Sequence, residues 1–332
     1  MRKKDVLHFL QENQTEYISG EALCRRLGIT RAAVWKAVAA LRKEGYTIEA
    51  RPSQGYRLTA SPDALTKDAI LSFLPSLDEK SLTVLDSVDS TNTYLKRLSL
   101  SCGEGGLIVV ADHQSAGRGR MGRSFESPAG KGVYLSLLLR PDIAPAQAMP
   151  ATGLCAVAVR RAIQKVCGID CGIKWTNDLV YGSKKICGIL TEMALESESG
   201  RVQHMIVGVG VNVHHRAEDF SPEVSALASS LDALTGKSIC RAQLTAAMVE
   251  ELLKLPALLE NPNTVGGYVA DYRAHCVTLG KDARLMWREG EEKVFALDID
   301  DAFGLVVRHA DGTEETIRSG EVSVRGLYGY TE

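Results

Sequence analysis

The sequence predicts a multidomain α+β chain: a winged helix-turn-helix, a mixed α/β body and a terminal antiparallel β-barrel-like unit. Three observations carry that reading. Residues 1–60 pattern as three helices and a hairpin, and hold eleven basic against six acidic side chains, net +5, in a chain whose total is −2. Between residues 82 and 213, strand-like apolar runs are interleaved with helical ones. From Cys276 onward five short alternating segments are separated by turns such as Ala310-Asp311-Gly312. The expected boundaries are 1–62, 63–275 and 276–332 of a chain of 332 residues, enough for two or three cores.

Bulk composition narrows the class. Hydrophobic content of 45% and charged content of 24% are those of a globular chain, not a disordered one. No apolar run reaches membrane-spanning length, so no membrane association is expected. The start, MRKKDVLHFLQENQ, has only a brief apolar patch and no cleavage-like site, so a signal peptide is not expected. Eight scattered cysteines suit reduced, mostly buried thiols and a cytoplasmic protein; no metal-ligand set is read from them.

The N-terminal elements follow in order. Val6, Leu7, Phe9 and Leu10 give the first helical face. Ser19 caps a second helix whose apolar side is Ala22, Leu23 and Leu27, and Gly28 suits the left-handed position that ends it. Thr30 caps a third, Arg31–Lys43, with Val34, Val38 and Leu41 turned inward. Its outer and N-terminal face keeps Arg31, Ala32, Trp35 and Lys36, where a recognition helix meets bases and phosphates. A hairpin at 46–58 turns at Arg51-Pro-Ser-Gln-Gly and forms a basic wing with Arg51 and Arg57. Together with Ser19 these are the expected DNA-contacting residues. Ser61-Pro-Asp and 65–74 read as a linker and a connecting helix.

In the body, Leu82–Leu85 is a strand, and Asp89 or Ser90 caps a helix through Tyr94 and Leu98. Leu107–Ala111 and Val133–Leu139 are strands flanking ADHQSAGRGRMGRSFE, which sets Arg118, Arg120 and Arg123 among three glycines. Such a loop exposes backbone N–H groups and forked cationic donors, a combination suited to closing over a small anion. Gly117-Arg-Gly-Arg-Met-Gly122 also satisfies G-x-G-x-x-G. A dinucleotide fingerprint must open a helix, however, and Pro128, Gly130 and Gly132 break any helix here. The segment is therefore strand–loop–strand. Next come a long apolar helix over 146–166, a strand at 173–175, and a hairpin over 179–193 that turns at Gly182-Ser183 and carries Lys184 and Lys185. A long strand over 202–213 contains Gly208 and Gly210, which mark a close approach to the backbone, expected from a ligand. Helices over 241–259 and 264–275 complete the body.

DSTN (89–92), HQSAGRGRMGR (113–123), KWTNDL (174–179), KKICGILTE (184–192) and GVGVNV (208–213), in this order, resemble the biotin–protein ligase family. The helix-turn-helix makes the chain similar to the bifunctional members, which also repress biotin genes. The resemblance spans nearly the whole chain. It implies a class II synthetase-like mixed sheet with helices on one face, and an SH3-like C-terminal domain. It implies a two-step reaction: biotin and ATP, with Mg²⁺, give biotinyl-5′-AMP and pyrophosphate, and a lysine of a biotin carboxyl carrier protein then takes the biotin. Further implied partners are a palindromic operator DNA and a second copy of the chain, the homodimer being promoted by the adenylate, which acts as corepressor. The carrier expected is that of acetyl-CoA carboxylase and other biotin enzymes.

The same resemblance implies roles. Ser90, Thr91, Asn92 and Gln114, with the backbone around Arg118 and Gly119 and with Gly188, would hold biotin, whose neutral ureido ring needs paired donors and acceptors. Arg120 and Arg123 would face its carboxylate and the α-phosphate. Lys185 would stand near the phosphates, and Asn177 and Asp178 would be polar partners of the attacking amine or the metal. Asn212 and Phe125 would take adenine, and Arg325 would reach the nucleotide from the C-terminal domain. Arg120, Lys185 and Asp178 are the expected catalytic set. Three positions depart from the family: Thr176 for its usual proline, which loosens the turn; Phe125 for tryptophan, with less stacking area; and Cys187, either a small core residue or an oxidation-sensitive one. Competing readings are a lipoate or octanoate ligase and a non-enzymatic ligand-sensing transcription factor. The latter leaves Lys185, Asn177 and Asp178 without a task.

Overall fold

A computed structural model describes residues 2–13, 15–60, 63–287, 290–318 and 321–324. The chain divides into two compact units, 1–80 with 240–246, and 81–239 with 247–332.

In the first unit, helices α1 (Arg2–Glu12), α2 (Gly20–Leu27) and α3 (Arg31–Lys43) precede the antiparallel hairpin β1 (Thr47–Arg51) and β2 (Gly55–Ala60). Leu10, Leu23, Val34, Val38, Leu41, Ile48 and Leu58 form its core. The helix limits have local causes. Ser19 Oγ accepts from the Ala22 N–H at 3.0 Å and Thr30 Oγ1 from that of Ala33 at 3.2 Å, while Gly28 ends α2 at φ +62°. Ile18 and Tyr56 exchange two backbone hydrogen bonds of 2.8 Å, tying the wing to the start of α2.

One expected boundary moves. Segment 63–80, assigned from sequence to the central domain, belongs to the first unit. Its helix α4 (Lys67–Phe73) packs on α1: Lys4 pairs with Asp68 at 2.8 Å, and His8 Nδ1 lies 2.6 Å from the Ser72 carbonyl.

The second unit holds a seven-stranded mixed sheet. Its elements are β3 (Leu82–Val88), α5 (Thr91–Leu98), β4 (Leu107–Gln114), β5 (Gly132–Leu139), α6 (Pro145–Ala148), α7 (Ala151–Cys167), β6 (Gly172–Lys174), β7 (Asp178–Tyr181), β8 (Lys184–Leu195) and β9 (Val202–Asn212). The order is β3-β4-β5-β9-β8-β7-β6; β3 and β4 are parallel and every other pair antiparallel. Every residue of β5 is buried, as its apolar run, interrupted only by Ser136, requires of a strand covered on both faces. Successive residues of a strand face opposite sides. Thr191 of β8 bonds Thr152 of α7 at 3.0 Å, whereas Leu190 and Glu192 bond Asn92 of α5, so α5 and α7 lie on opposite faces, and the expected helices on one face become helices on both. Pro150 separates α6 from α7, dividing the helix expected over 146–166, and the helix expected over 241–259 is broken between Leu252 and Leu255.

The C-terminal strands β10 (Asp282–Trp287), β11 (Gly290–Ile299), β12 (Leu305–Arg308), β13 (Glu314–Ile317) and β14 (Glu321–Val324) form one antiparallel sheet ordered β13-β12-β11-β10-β14. It is anchored to the central sheet. The Trp175 indole N–H donates to the Phe303 carbonyl at 2.9 Å, and a β-carbon on Gly153 would meet the Phe303 ring at 2.3 Å, so α7 needs glycine there.

Candidate active site

The five sequence motifs, more than a hundred residues apart at their extremes, converge on the α5 face of the sheet. Ser90, Thr91, Asn92, Gln114, Arg118, Gly119, Arg120, Arg123, Phe125, Asn177, Asp178, Lys185 and Gly188 line one cavity. Asn212 does not line it; it is buried, and its amide donates to the Ser229 carbonyl at 3.2 Å. Arg325 lies outside the described residues.

One end of the cavity is a closed polar network at the start of α5. Ser90 is the N-cap residue by backbone conformation, yet its hydroxyl makes no capping bond. The Thr91 N–H and hydroxyl both donate to Gln114 Oε1, at 2.9 and 3.1 Å. Gln114 Nε2 donates to Ser127 Oγ at 2.9 Å, which fixes the amide's orientation. The Ser136 hydroxyl, from the middle of β5, sits 2.7 Å from Thr91 Oγ1 and 2.6 Å from Asn92 Oδ1. Asn92 Nδ2 donates to Glu192 Oε2 at 2.9 Å, and Glu192 Oε1 meets Arg118 at 3.3 Å. Ser136, Ser127 and Glu192 were not singled out from the sequence. Ser136 sits within an apolar strand pattern, where a lone serine is the available signal.

Between β4 and β5 the Arg/Gly loop folds back on itself without a helix beyond one 3₁₀ turn at Arg120–Gly122. Gly119 N–H bonds the Arg123 carbonyl at 2.7 Å and Phe125 N–H bonds that of Gly117 at 2.9 Å. Met121 takes φ +55° at the tip and is exposed. The strand–loop–strand reading therefore holds and the dinucleotide fingerprint is excluded. Arg120 reaches across the cavity, its Nη1 donating to Thr176 Oγ1 and Asn177 Oδ1, both at 3.0 Å. Asn177 is itself fixed: it exchanges two 2.9 Å bonds with the backbone of Ile189. Lys185 Nζ lies 2.7 Å from Asp178 Oδ1, a contact between neighbouring strands β7 and β8.

The strand glycines receive a corrected role. A β-carbon on Gly208 would stand 2.2 Å from Asn92 Oδ1, and one on Gly210 2.5 Å from the Phe125 ring. The close approach is made by the protein's own side chains, and both glycines also line the cavity. Phe125 thus lies across Gly210 and Gly188, edge-on to Tyr134 at 6.4 Å between centroids. The expected looseness at Thr176 is also corrected: its carbonyl accepts from Tyr272 Oη at 3.2 Å, and the preceding Trp175 N–H donates to Thr278 Oγ1 at 3.1 Å. Cys187 is fully buried and burial pushes its thiol well above the ordinary range, so it is a core residue, not a reactive one. All eight cysteines are free.

In the first unit, Arg31, Ala32, Trp35 and Lys36 all project from α3 into solvent, Trp35 being 67% exposed. On the wing, the Arg51 and Arg57 guanidinium groups lie 4.4 and 4.7 Å from the Tyr17 ring centroid. Arg57 also pairs with Glu49 at 3.2 Å, and Tyr17 hydrogen-bonds the same carboxylate, holding it below its usual range. Tyr17 and Glu49 escape a reading of local patterns because they meet the arginines only through the hairpin. Ser19 lines a groove with Arg31 and Arg51 while its hydroxyl caps α2.

Residues 84–212 match the Biotin/lipoate A/B protein ligase family, and residues 2–57 match a helix-turn-helix domain. The chain is 41% identical over 242 residues to the bifunctional ligase/repressor BirA of Bacillus spizizenii, covering 72% of this chain and 74% of that one. The chain belongs to the biotin–protein ligase family. With BirA of Escherichia coli, also a bifunctional ligase/repressor, identity is 30% over 313 residues, spanning 93% of this chain and 94% of its relative. The biotin protein ligase of Aquifex aeolicus, solved with biotin and ATP, superposes with a TM-score of 0.61 at 28% identity, over 74% of this chain and 98% of that one. Membership accounts for both units: a ligase core and a repressor's DNA-binding head. No helix among the described residues is long and apolar enough to cross a membrane.

Proposed function

We propose that the α5-face cavity is where this biotin–protein ligase makes biotinyl-5′-AMP and passes biotin to a carrier lysine. The observation that carries the assignment is the convergence of all five motifs on one cavity with a neutral polar end and a cationic end. The polar end, Ser90 to Asn92 with Gln114, suits the ureido ring. It favours biotin over a plain acyl chain, which would bring no hydrogen-bonding group to the hydroxyl and amide side chains there. Arg118, Arg120 and Arg123 of the loop, with Lys185, line the same cavity and suit the carboxylate and phosphates.

In the first step a carboxylate oxygen of biotin attacks the α-phosphorus of ATP and pyrophosphate departs. Arg120 and Arg123 offset the charge of two anions brought together, and Lys185 acts on the phosphates as a point charge. Phe125 packs against adenine beside Gly188, while Asn212 and Arg325 are the remaining nucleotide contacts in this reading. In the second step the ε-amine of the carrier lysine attacks the activated carbonyl and AMP leaves, with Asn177 and Asp178 beside the incoming amine. Asp178 is the one carboxylate lining the cavity, and no cluster of three metal-binding side chains exists among the described residues. Asp178 is the residue that would approach a Mg²⁺ bound with the nucleotide, and the ion would offset phosphate charge there.

As a repressor the protein uses α3 and the basic wing on a palindromic operator, with Ser19, Arg31, Ala32, Trp35, Lys36, Arg51 and Arg57 at the DNA. Functionally the proposed division is 1–62 for DNA, 63–275 for catalysis, with its segment 63–80 packed in the first unit, and 276–332 for the SH3-like domain. The adenylate orders the Arg/Gly loop and promotes a homodimer, which couples idle ligase to repression in the cytoplasm. The carrier is that of acetyl-CoA carboxylase and related biotin enzymes.

Mass spectrometry of a carrier domain incubated with the protein, biotin, ATP and Mg²⁺ tests the enzyme. A single biotin increment, absent without ATP and suppressed by Arg120→Ala, is expected; an unmodified carrier with intact ATP would refute it. Operator affinity measured with and without biotin and ATP tests the coupling, and equal affinities would remove it.

A further inference from the structure

We propose that the Thr176 hydroxyl is a positioning group for Arg120, setting the plane of the guanidinium that meets the reacting anions. The inference rests on the assignment of Arg120 to the adenylation site.

Two hydrogens on Nη1 lie in the guanidinium plane, so two acceptors on that nitrogen define the plane, whereas one leaves a pivot. Thr176 Oγ1 and Asn177 Oδ1 are those acceptors, each at 3.0 Å. Both belong to a short segment that is held from every side. Trp175 is fixed through Thr278 Oγ1 and the Phe303 carbonyl, at 3.1 and 2.9 Å. The Thr176 carbonyl takes the hydroxyl of the fully buried Tyr272 at 3.2 Å. Asn177 is clamped to Ile189 by two bonds of 2.9 Å. The acceptors are therefore rigid and the long arginine is the movable partner. Arginine has several rotatable bonds, and orienting it before the substrates arrive removes that cost from the chemical step. The side chain at 176 matters as an acceptor: a residue with no side-chain oxygen there would leave Asn177 as the only turn side chain on Nη1. Thr176 does not line the cavity, and its hydroxyl acts through Arg120.

The test compares Thr176→Val, which keeps the shape and removes the acceptor, with Thr176→Ser, which keeps the acceptor. Pyrophosphate release from biotin and ATP by the full-length protein is followed, with kcat and both KM values determined. Thr176→Val is expected to lower kcat about tenfold, the scale of one lost hydrogen bond to a charged group, with the biotin KM within about twofold. Thr176→Ser is expected to restore kcat to within about twofold, and both variants to melt as the parent does. Wild-type kcat in Thr176→Val, or equal impairment in the serine variant, would overturn the proposal. Arg120→Ala separates the two failures. If it abolishes pyrophosphate release while Thr176→Val does nothing, only the positioning role falls; if Arg120→Ala is itself active, the site assignment falls with it.

Discussion

Gly208 on β9 and Asn92 on α5 are complementary: the amide oxygen of Asn92 occupies the space where a side chain at 208 would start, 2.2 Å from a built β-carbon. Asn92 is buried, and it holds Ser136 on one side and Glu192 on the other. Gly208→Ala is therefore expected to displace Asn92 and disorder the polar end of the cavity. Biotin affinity measured by calorimetry should fall at least about tenfold, with loss of about 1–3 kcal/mol in stability. An unchanged affinity would show that Asn92 is dispensable for the ligand.

Lys185 and Asp178 form an ion pair at 2.7 Å inside the cavity. Replacing Lys185 by Met keeps the stem and removes the charge. The expected result is a fall in adenylate formation of about a hundredfold or more, the scale seen when one electrostatic contact to a developing charge is lost. Asp178→Asn should slow transfer to the carrier more than pyrophosphate release. Single-turnover measurements of each step check both, and equal effects of Asp178→Asn on the two steps would remove its role beside the amine.

Glu192 joins Asn92 to Arg118 of the loop, at 2.9 and 3.3 Å. Glu192→Gln keeps an acceptor for Asn92 and removes the charge facing Arg118. Dissociation of biotinyl-5′-AMP should accelerate several-fold while the melting temperature stays near the parent's, because a half-exposed ion pair at 3.3 Å, screened by solvent, stabilises by only about 1 kcal/mol or less. Stopped-flow displacement with excess biotin measures it.

His215 is buried against Phe220, ring centroids 4.8 Å apart, and 3.4 Å from the Tyr134 hydroxyl; burial lowers its pKa to about 4. Its unfolded value lies near the ordinary ~6.5, above the folded one, so the unfolded state binds the proton more readily. The stabilisation is complete above about pH 6.5 and is lost as pH falls towards 4, by up to about 3 kcal/mol. Thermal melts between about pH 7 and pH 5 should show this loss, and His215→Gln should flatten it. A melting temperature insensitive to acid over that window would contradict the burial.

Trp35 stands 67% exposed on α3 among Arg31, Ala32 and Lys36. Trp35→Ala should weaken operator binding at least about tenfold, with carrier biotinylation unchanged, since a solvent-facing side chain contributes little to the fold. Fluorescence anisotropy with labelled operator and the mass-spectrometric ligase assay read the two separately.

The elements and their chemistry were legible along the chain. Capping residues, apolar periods and turn glycines act over a few residues, so the three N-terminal helices, the wing and the strands around the Arg/Gly loop could be placed from Ser19, Gly28, Thr30 and the β5 run alone. The ordered motifs named the family because each preserves a local arrangement of donors. What the linear pattern could not carry is who meets whom across the sheet. Gly208 and Gly210 marked a close approach, but only the register supplied Asn92 and Phe125 as the groups that make it. Thr176 looked like a loosened turn until Arg120 was found on its hydroxyl. Tyr17, Glu49 and Glu192 had no signal of their own, Ser136 had only its place in an apolar strand, and segment 63–80 changed units because α4 packs on α1. Local order is written in neighbouring residues, whereas these partnerships depend on strand register and helix packing, which bring together residues far apart in sequence.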